Sequence, residues 1–268
     1  MRQAGQGGAE GVKRHGRRKR NGPYMTQTLD ESTSRGRSAA TRQGRPAIDF
    51  IFMFTRADQT VEDCLEVFET VARAGVKHMG FKDIGVDFET LVALNRRIKD
   101  AGALSYLEVV SATKEACLES ARAARRIGVD RVMGGTEARE ILEILDGSGI
   151  EYLPFPGKPI GHPTALGGKP GDIEEDCRRF EAMGCAGVDL LAYRATEADP
   201  LELVRAARRA TRGSLVVAGS IDTPECIRAL AEAGANAFTI GSAAFDGSFS
   251  PRKGALASQL EDILEAAA

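Results

Sequence analysis

From residue 48 onward the chain repeats one unit: an amphipathic helical stretch, a glycine at its C-terminal end, and a short apolar run suited to a buried strand. The glycines are Gly75, Gly102, Gly128, Gly149, Gly184, Gly213 and Gly234. Each is expected to adopt the left-handed conformation that stops a helix, where an L side chain is penalised and glycine is not. Seven such junctions after an opening strand imply eight strands. They read IDFIFMF (48–54), VKHMGF (76–81), ALSYLEVV (103–110), VDRVMG (129–134), IEYLPF (150–155), AGVDLLAY (186–193), SLVVAG (214–219) and NAFTIG (236–241). In the first helical stretch Val61, Cys64, Leu65, Phe68 and Val71 share one face. In the seventh, Thr223 can cap, Pro224 fits the first helical position and Gly234 follows the last turn. Strand, helix, strand without hairpin signals implies right-handed crossovers and a parallel sheet. Eight units predict an α/β chain closed into a single (β/α)8 TIM barrel. The rival, an open doubly wound sheet, lacks its dinucleotide signature, because TRADQT follows the first strand where Gly-x-Gly-x-x-Gly would be needed.

The barrel is assigned to residues 47–268. Residues 1–46 read as a disordered basic extension, with 11 Lys/Arg against 3 Asp/Glu and no hydrophobic period. The remainder carries 25 Lys/Arg against 35 Asp/Glu, which argues against nucleic acid as a partner of the folded part. No apolar run approaches the roughly 20 residues of a membrane helix, and no signal-peptide pattern opens the chain, so a cytoplasmic protein without a membrane partner is expected. Five cysteines avoid Cys-x-x-Cys spacing, and only three histidines occur. A metal site is not expected, nor is a cofactor. A homo-oligomer is compatible with all of this.

In such a barrel the chemistry sits just beyond the C-terminal ends of the strands. Those positions hold Thr55, Arg56 and Asp58; Lys82 and Asp83; Glu108; Gly134, Gly135 and Thr136; Arg194; Gly219 and Ser220; and Gly241 and Ser242. Strands seven and eight both end in Gly-Ser on adjacent walls. Glycine lets a ligand approach the backbone, free amides donate hydrogen bonds, and a helix starting at Ser242 would favour an anion. This predicts a phosphate site at Gly219, Ser220, Gly241 and Ser242, and a phosphorylated small molecule as substrate.

The stretch VVAGSIDTPECIRALAEAGANAFTIGSAAFDGSF, 216–249, resembles the last two strand units of the phosphate-binding barrels. These include histidine-biosynthesis isomerases of the HisA/HisF type and N-acetylmannosamine-6-phosphate epimerases. The resemblance implies that the same four residues hold a substrate phosphate. It covers about 35 residues, and elsewhere the chain departs. FMFTRAD replaces the Asp-Leu-x-x-Gly of the histidine enzymes. The paired metal-binding histidines and aspartates of ribulose-phosphate epimerases are missing. VDLLAYRA lacks the strand-six Schiff-base lysine of deoxyribose-phosphate-type aldolases, and Gly219 stands where the acetylmannosamine enzymes have glutamate.

Alternation sends Met79 and Phe81 toward the helices and His78, Gly80 and Lys82 toward the barrel axis, with Tyr106 and Glu108 pointing inward beside Lys82. A carboxylate and an ammonium at a barrel mouth can move a proton next to a carbonyl and stabilise the enolate. Lys82, Glu108, His162 and Asp189 are therefore the candidate catalytic residues, with Arg56, Asp83 and Arg194 orienting the substrate. Lys82 and Glu108 equally suit a structural ion pair, and a Schiff base at Lys82 is a further option. The segment PFPGKPIGHPTALGGKPGD, 154–172, is too rich in proline and glycine for helix or strand, and is read as a rim loop able to close over substrate with Lys158, His162 and Lys169. The resulting expectation is a metal-independent isomerase or epimerase of a small phosphorylated sugar or sugar acid, acting through an enolate. The alternatives are a carbon–carbon lyase on a similar substrate, a non-catalytic phosphometabolite-binding protein, and a flavin-mononucleotide oxidoreductase.

Overall fold

The computed structural model describes residues 47–109, 113–161 and 164–268. The basic N-terminal segment and His162 lie outside the described residues. Eight parallel strands form the barrel wall: β1 (Asp49–Met53), β2 (His78–Phe81), β3 (Leu104–Val109), β4 (Arg131–Gly134), β5 (Glu151–Leu153), β6 (Gly187–Leu190), β7 (Ser214–Val217) and β8 (Ala237–Ile240). They are ordered β6-β7-β8-β1-β2-β3-β4-β5 in one sheet. Between β5 and β6 there is no strand ladder. Two backbone bonds close the gap, from Ala186 N to Tyr152 O and from Asp189 N to Pro154 O, each 3.0 Å. All eight sequence-predicted strands are present, each trimmed to its hydrogen-bonded centre.

The helices are α1 (Cys64–Arg73), α2 (Phe88–Asp100), α3 (Lys114–Ile127), α4 (Ala138–Leu145), α5 (Pro170–Met183), α6 (Pro200–Ala210), α7 (Pro224–Ala233), α8 (Ser242–Phe245) and α9 (Leu256–Ala267). The cap signals act where expected at α7: Thr223 accepts from Cys226 N at 3.2 Å, and Gly234 sits at φ 94°. Gly213 departs from expectation. Helix α6 ends at Thr211 in extended backbone, so Gly213 is not a left-handed stop. Its missing side chain serves close packing instead, since a Cβ there would lie 2.6 Å from Ala186 O on the neighbouring strand.

Alternation along the strands splits the core in two. Met79, Phe81, Leu107 and Val109 join the layer under the helices, while Ile51, Met53, Tyr106, Met133, Leu153, Val216 and Ala237 fill the barrel interior. Gly80 makes room for Met53, whose sulfur occupies the space a β2 Cβ would need. At the N-terminal end, Tyr106 Oη meets His78 Nδ1 at 2.7 Å and accepts from Arg131 Nη1 at 3.0 Å. Burial pushes the Tyr106 phenol up to about 12 and lowers His78, so Tyr106 and His78 close this end as neutral polar groups.

Two short antiparallel hairpins correct the sequence reading. Thr55–Arg56 pairs with Gln59–Thr60 immediately after β1, where no hairpin was expected. Its two turn residues, Ala57 and Asp58, have φ of 49° and 61°. A two-residue turn of this kind needs left-handed backbone at both centres and normally carries Asn-Gly; Ala-Asp hides that signal. The second hairpin pairs Lys158–Ile160 with Ala165–Gly167 inside the segment expected to be irregular. Proline is compatible with strand here because the hairpin is only an edge, where a missing N–H costs no ladder bond. The same segment then starts α5 with Pro170 at the first helical position.

Candidate active site

A cavity of about 380 Å³ opens at the C-terminal ends of the strands. Its wall includes Asp58, Lys82, Glu108, Arg194, Gly219, Ser220, Gly241 and Ser242. Residues that follow or end β1, β2, β3, β6, β7 and β8 thus meet in one space because the barrel closes.

Lys82 is its most constrained member. The side chain is 4 % exposed, with Nζ 2.8 Å from Asp58 Oδ1 and 3.5 Å from Glu108 Oε2. The first-strand hairpin holds it twice. Thr60 Oγ1 accepts from Lys82 N at 2.9 Å and donates to Lys82 O at 2.7 Å, while Asp58 takes the ammonium. Holding Ala57 and Asp58 in left-handed backbone costs about 1–2 kcal/mol each. Ser220, at φ 56°, is the other non-glycine residue with positive φ among the described residues. Asp58 and Ser220 line this cavity and Ala57 precedes Asp58 in the turn, and strain of this kind persists only where surrounding structure enforces it.

At the opposite wall the two Gly-Ser strand ends face the same space. The amides of Ser220, Ser242 and Ala243 donate to no backbone carbonyl among the described residues. A Cβ on Gly241 would lie 2.7 Å from Thr55 O, so only glycine lets β8 end against β1. Gly219 is covered by Arg194, whose Nε and Cδ occupy the place of its missing Cβ. Helix α8 has four residues, too short for an appreciable macrodipole, so the anion-binding capacity rests on open amides and on the guanidinium rather than on a helix terminus. Arg194 lies in a short 3₁₀ turn after β6 and reaches both Thr164 O, at 3.4 Å, and Asp58 Oδ1, at 3.9 Å.

Asp189, on β6, is fully buried, and neither carboxylate oxygen has a hydrogen-bond partner among the described residues. Desolvation raises its pKa well above the usual carboxylate range, and nearby Glu108 adds to the rise against opposing pulls from Lys82 and Arg194. It lies beneath the cavity rather than in its wall, where burial favours the uncharged carboxyl. The other two orienting candidates are not brought to the wall. Arg56 lies outside it, paired with Asp246 at 3.1 Å and stacked over Phe245. Asp83 points the other way, into a groove with Phe88, Glu119 and Arg126, because consecutive residues leave a strand on opposite faces. Lys158 and Lys169 do not line the cavity; Lys158 is exposed on the second hairpin, and Lys169 precedes α5 as its cap. Asp58 was visible in the sequence only as one strand-end polar residue among several. Its role appears with the hairpin that turns it inward.

A second cavity, about 280 Å³, lies between α7 and α9 beside Ile48. Its Arg228 and Asp262 are tied to Glu225 and Lys253. No helix among the described residues is long and apolar enough to cross a membrane.

No protein-family model and no curated protein sequence matches the chain. Solved structures do. A mutant tryptophan synthase α-subunit from Pyrococcus furiosus superposes with a TM-score of 0.60 at 15 % identity, over 83 % of this chain and 100 % of that one. A structure described as native KDPGal gives 0.58 at 15 % identity, over 82 % and 93 %. Thiamine phosphate pyrophosphorylase from Pyrococcus furiosus gives 0.56 at 12 % identity, over 82 % and 95 %. At these identities the likeness concerns the fold, and the chain has the TIM-barrel fold. These three structures do not show the resemblance to histidine-biosynthesis isomerases and acetylmannosamine-phosphate epimerases.

Proposed function

We propose that the cavity binds a small phosphorylated carbonyl compound, a sugar phosphate or its acid derivative, and catalyses proton transfer next to the carbonyl. Gly219, Ser220, Gly241 and Ser242 hold the phosphate through backbone amides, with Arg194 as its counter-ion. Glu108 takes the proton from carbon, and the Lys82 ammonium donates to the carbonyl oxygen as it becomes an enolate. Returning the proton to a neighbouring carbon or to the other face completes an isomerisation or epimerisation. The observation that carries this reading is the convergence of the Lys82–Glu108 pair and both Gly-Ser strand ends on one cavity. Glu108 is nearly buried yet still reaches that cavity, and withdrawal from water strengthens both groups' action on a developing charge.

A carbon–carbon lyase is the second reading. It uses the same enolate and is served by the same Lys82–Glu108 pair. One experiment addresses both. Phosphorylated sugars are screened by thermal shift beside their dephosphorylated forms, and any stabilising compound is then followed for deuterium uptake from heavy water and for cleavage. Exchange that disappears in Lys82→Ala and Glu108→Ala while inorganic phosphate still binds is the expected result. Equal stabilisation by phosphorylated and dephosphorylated forms removes the phosphate assignment. Exchange undiminished in both variants removes the catalytic one and leaves a binding protein. A yellow chromophore in the purified protein would favour the flavin alternative.

A further inference from the structure

Thr239, on β8, sets a hydroxyl among apolar side chains. Phe238 and Ile240 join the layer under the helices, so Thr239 faces the barrel interior together with Ala237. The inward residues of the flanking strands are Ile51, in register with it, and Met53 on β1, and Val216 on β7. The residue is 6 % exposed, and its hydroxyl has no hydrogen-bond partner among the described residues. Valine would suit the strand at least as well and would bring no polar group to desolvate, so the fold alone gives no reason for threonine here. Thr239 lines the active-site cavity, and its oxygen is not sealed off as the Asp189 carboxyl oxygens are, so a partner can be supplied from the cavity. Its place along the strand matters. Thr239 precedes Gly241 by two residues, about 7 Å down β8 from the end where the amides of Ser242 and Ala243 stand open.

We propose that Thr239 is a specificity-determining residue whose hydroxyl pairs with a hydroxyl on one of the first two carbons beyond the phosphate ester, so that the site selects hydroxylated sugar phosphates over phosphate esters with bare chains. The inference rests on the phosphate reading above and narrows its substrate class. A phosphate held on the open amides leads its ester oxygen and first carbons into the cavity past Thr239. A threonine hydroxyl both donates and accepts, so it meets a substrate hydroxyl in either sense. A chain without that group leaves Thr239 covered and unpaired, and discrimination then comes from the unmet hydrogen bond as well as from the one that is lost.

The test uses the full chain and three probes, inorganic phosphate, propyl phosphate and racemic glycerol 3-phosphate, with affinities measured by calorimetry at constant ionic strength. The two esters differ only in the hydroxyls next to the ester carbon. The wild type is expected to bind glycerol 3-phosphate roughly 3- to 10-fold more tightly than propyl phosphate, and Thr239→Val to lose that preference while binding propyl phosphate and inorganic phosphate as the wild type does. Thr239→Ser, which keeps the hydroxyl, should retain the preference and Thr239→Ala should lose it, and this pair decides the matter if Thr239→Val does not fold. A preference that survives in the valine and alanine variants overturns the proposal. So does a wild type that does not distinguish the esters, or a variant that weakens all three probes equally, which is the mark of a structural role. If the wild type binds none of the three, the phosphate reading falls and takes this inference with it, an outcome distinct from phosphate binding that is blind to the hydroxyls.

Discussion

Lys82→Met isolates what the buried charge contributes. Methionine keeps most of the length and volume of the aliphatic stem, so packing changes little and the ammonium is what is lost. The residue is 4 % exposed and its partners Asp58 and Glu108 are 16 % and 10 % exposed, so the variant deprives two largely buried carboxylates of the ammonium they share. Removing one member of a buried ion pair costs about 3–5 kcal/mol, and the residual exposure of Asp58 puts this site near the lower end. For a domain of this size each kcal/mol is worth roughly 2–4 °C, so Tm should fall by about 6–12 °C at neutral pH. Differential scanning calorimetry measures the shift. A Tm within about 2 °C of wild type would show that Lys82 is not held as an ion pair and would refute the reasoning.

Three further outcomes are expected. Asp58→Asn should lower Tm more than Glu108→Gln, because Lys82 Nζ is 2.8 Å from the first carboxylate and 3.5 Å from the second; the reverse order would contradict the geometry. Gly241→Ala places a Cβ 2.7 Å from Thr55 O and should cost about 1–3 kcal/mol while weakening inorganic phosphate binding, read by denaturant melts and titration. Asp189 has a raised folded pKa, so its contribution to stability is complete below the ordinary carboxylate value near 3.8 and is lost as pH rises toward the folded value. Asp189→Asn, which cannot ionise, should match the wild type in acid and exceed it increasingly above that point; parallel stability curves against pH would mean that Asp189 is not buried as a neutral acid.

The barrel was legible in the chain because its signals are local. Apolar runs of strand length, helical periods such as Val61–Cys64–Leu65–Phe68, and glycines such as Gly128 and Gly234 each act within a few residues of themselves, and eight repeats leave one closed solution. Alternation also put Lys82 and Glu108 inward, since neighbouring parallel strands have one register that buries Met79 and Leu107 together. What the chain alone could not decide was which strand-end residues turn toward the axis. Asp83 follows Lys82 by one position and faces the opposite way, and Arg56 is drawn off by Asp246 and Phe245. Asp58 enters the site through two left-handed residues that no local preference of Ala-Asp announces. The Asp189 pKa is raised chiefly because the surrounding interior excludes water. Side-chain direction and local dielectric are sums over contacts from distant parts of the chain, and they exist only once the barrel has closed.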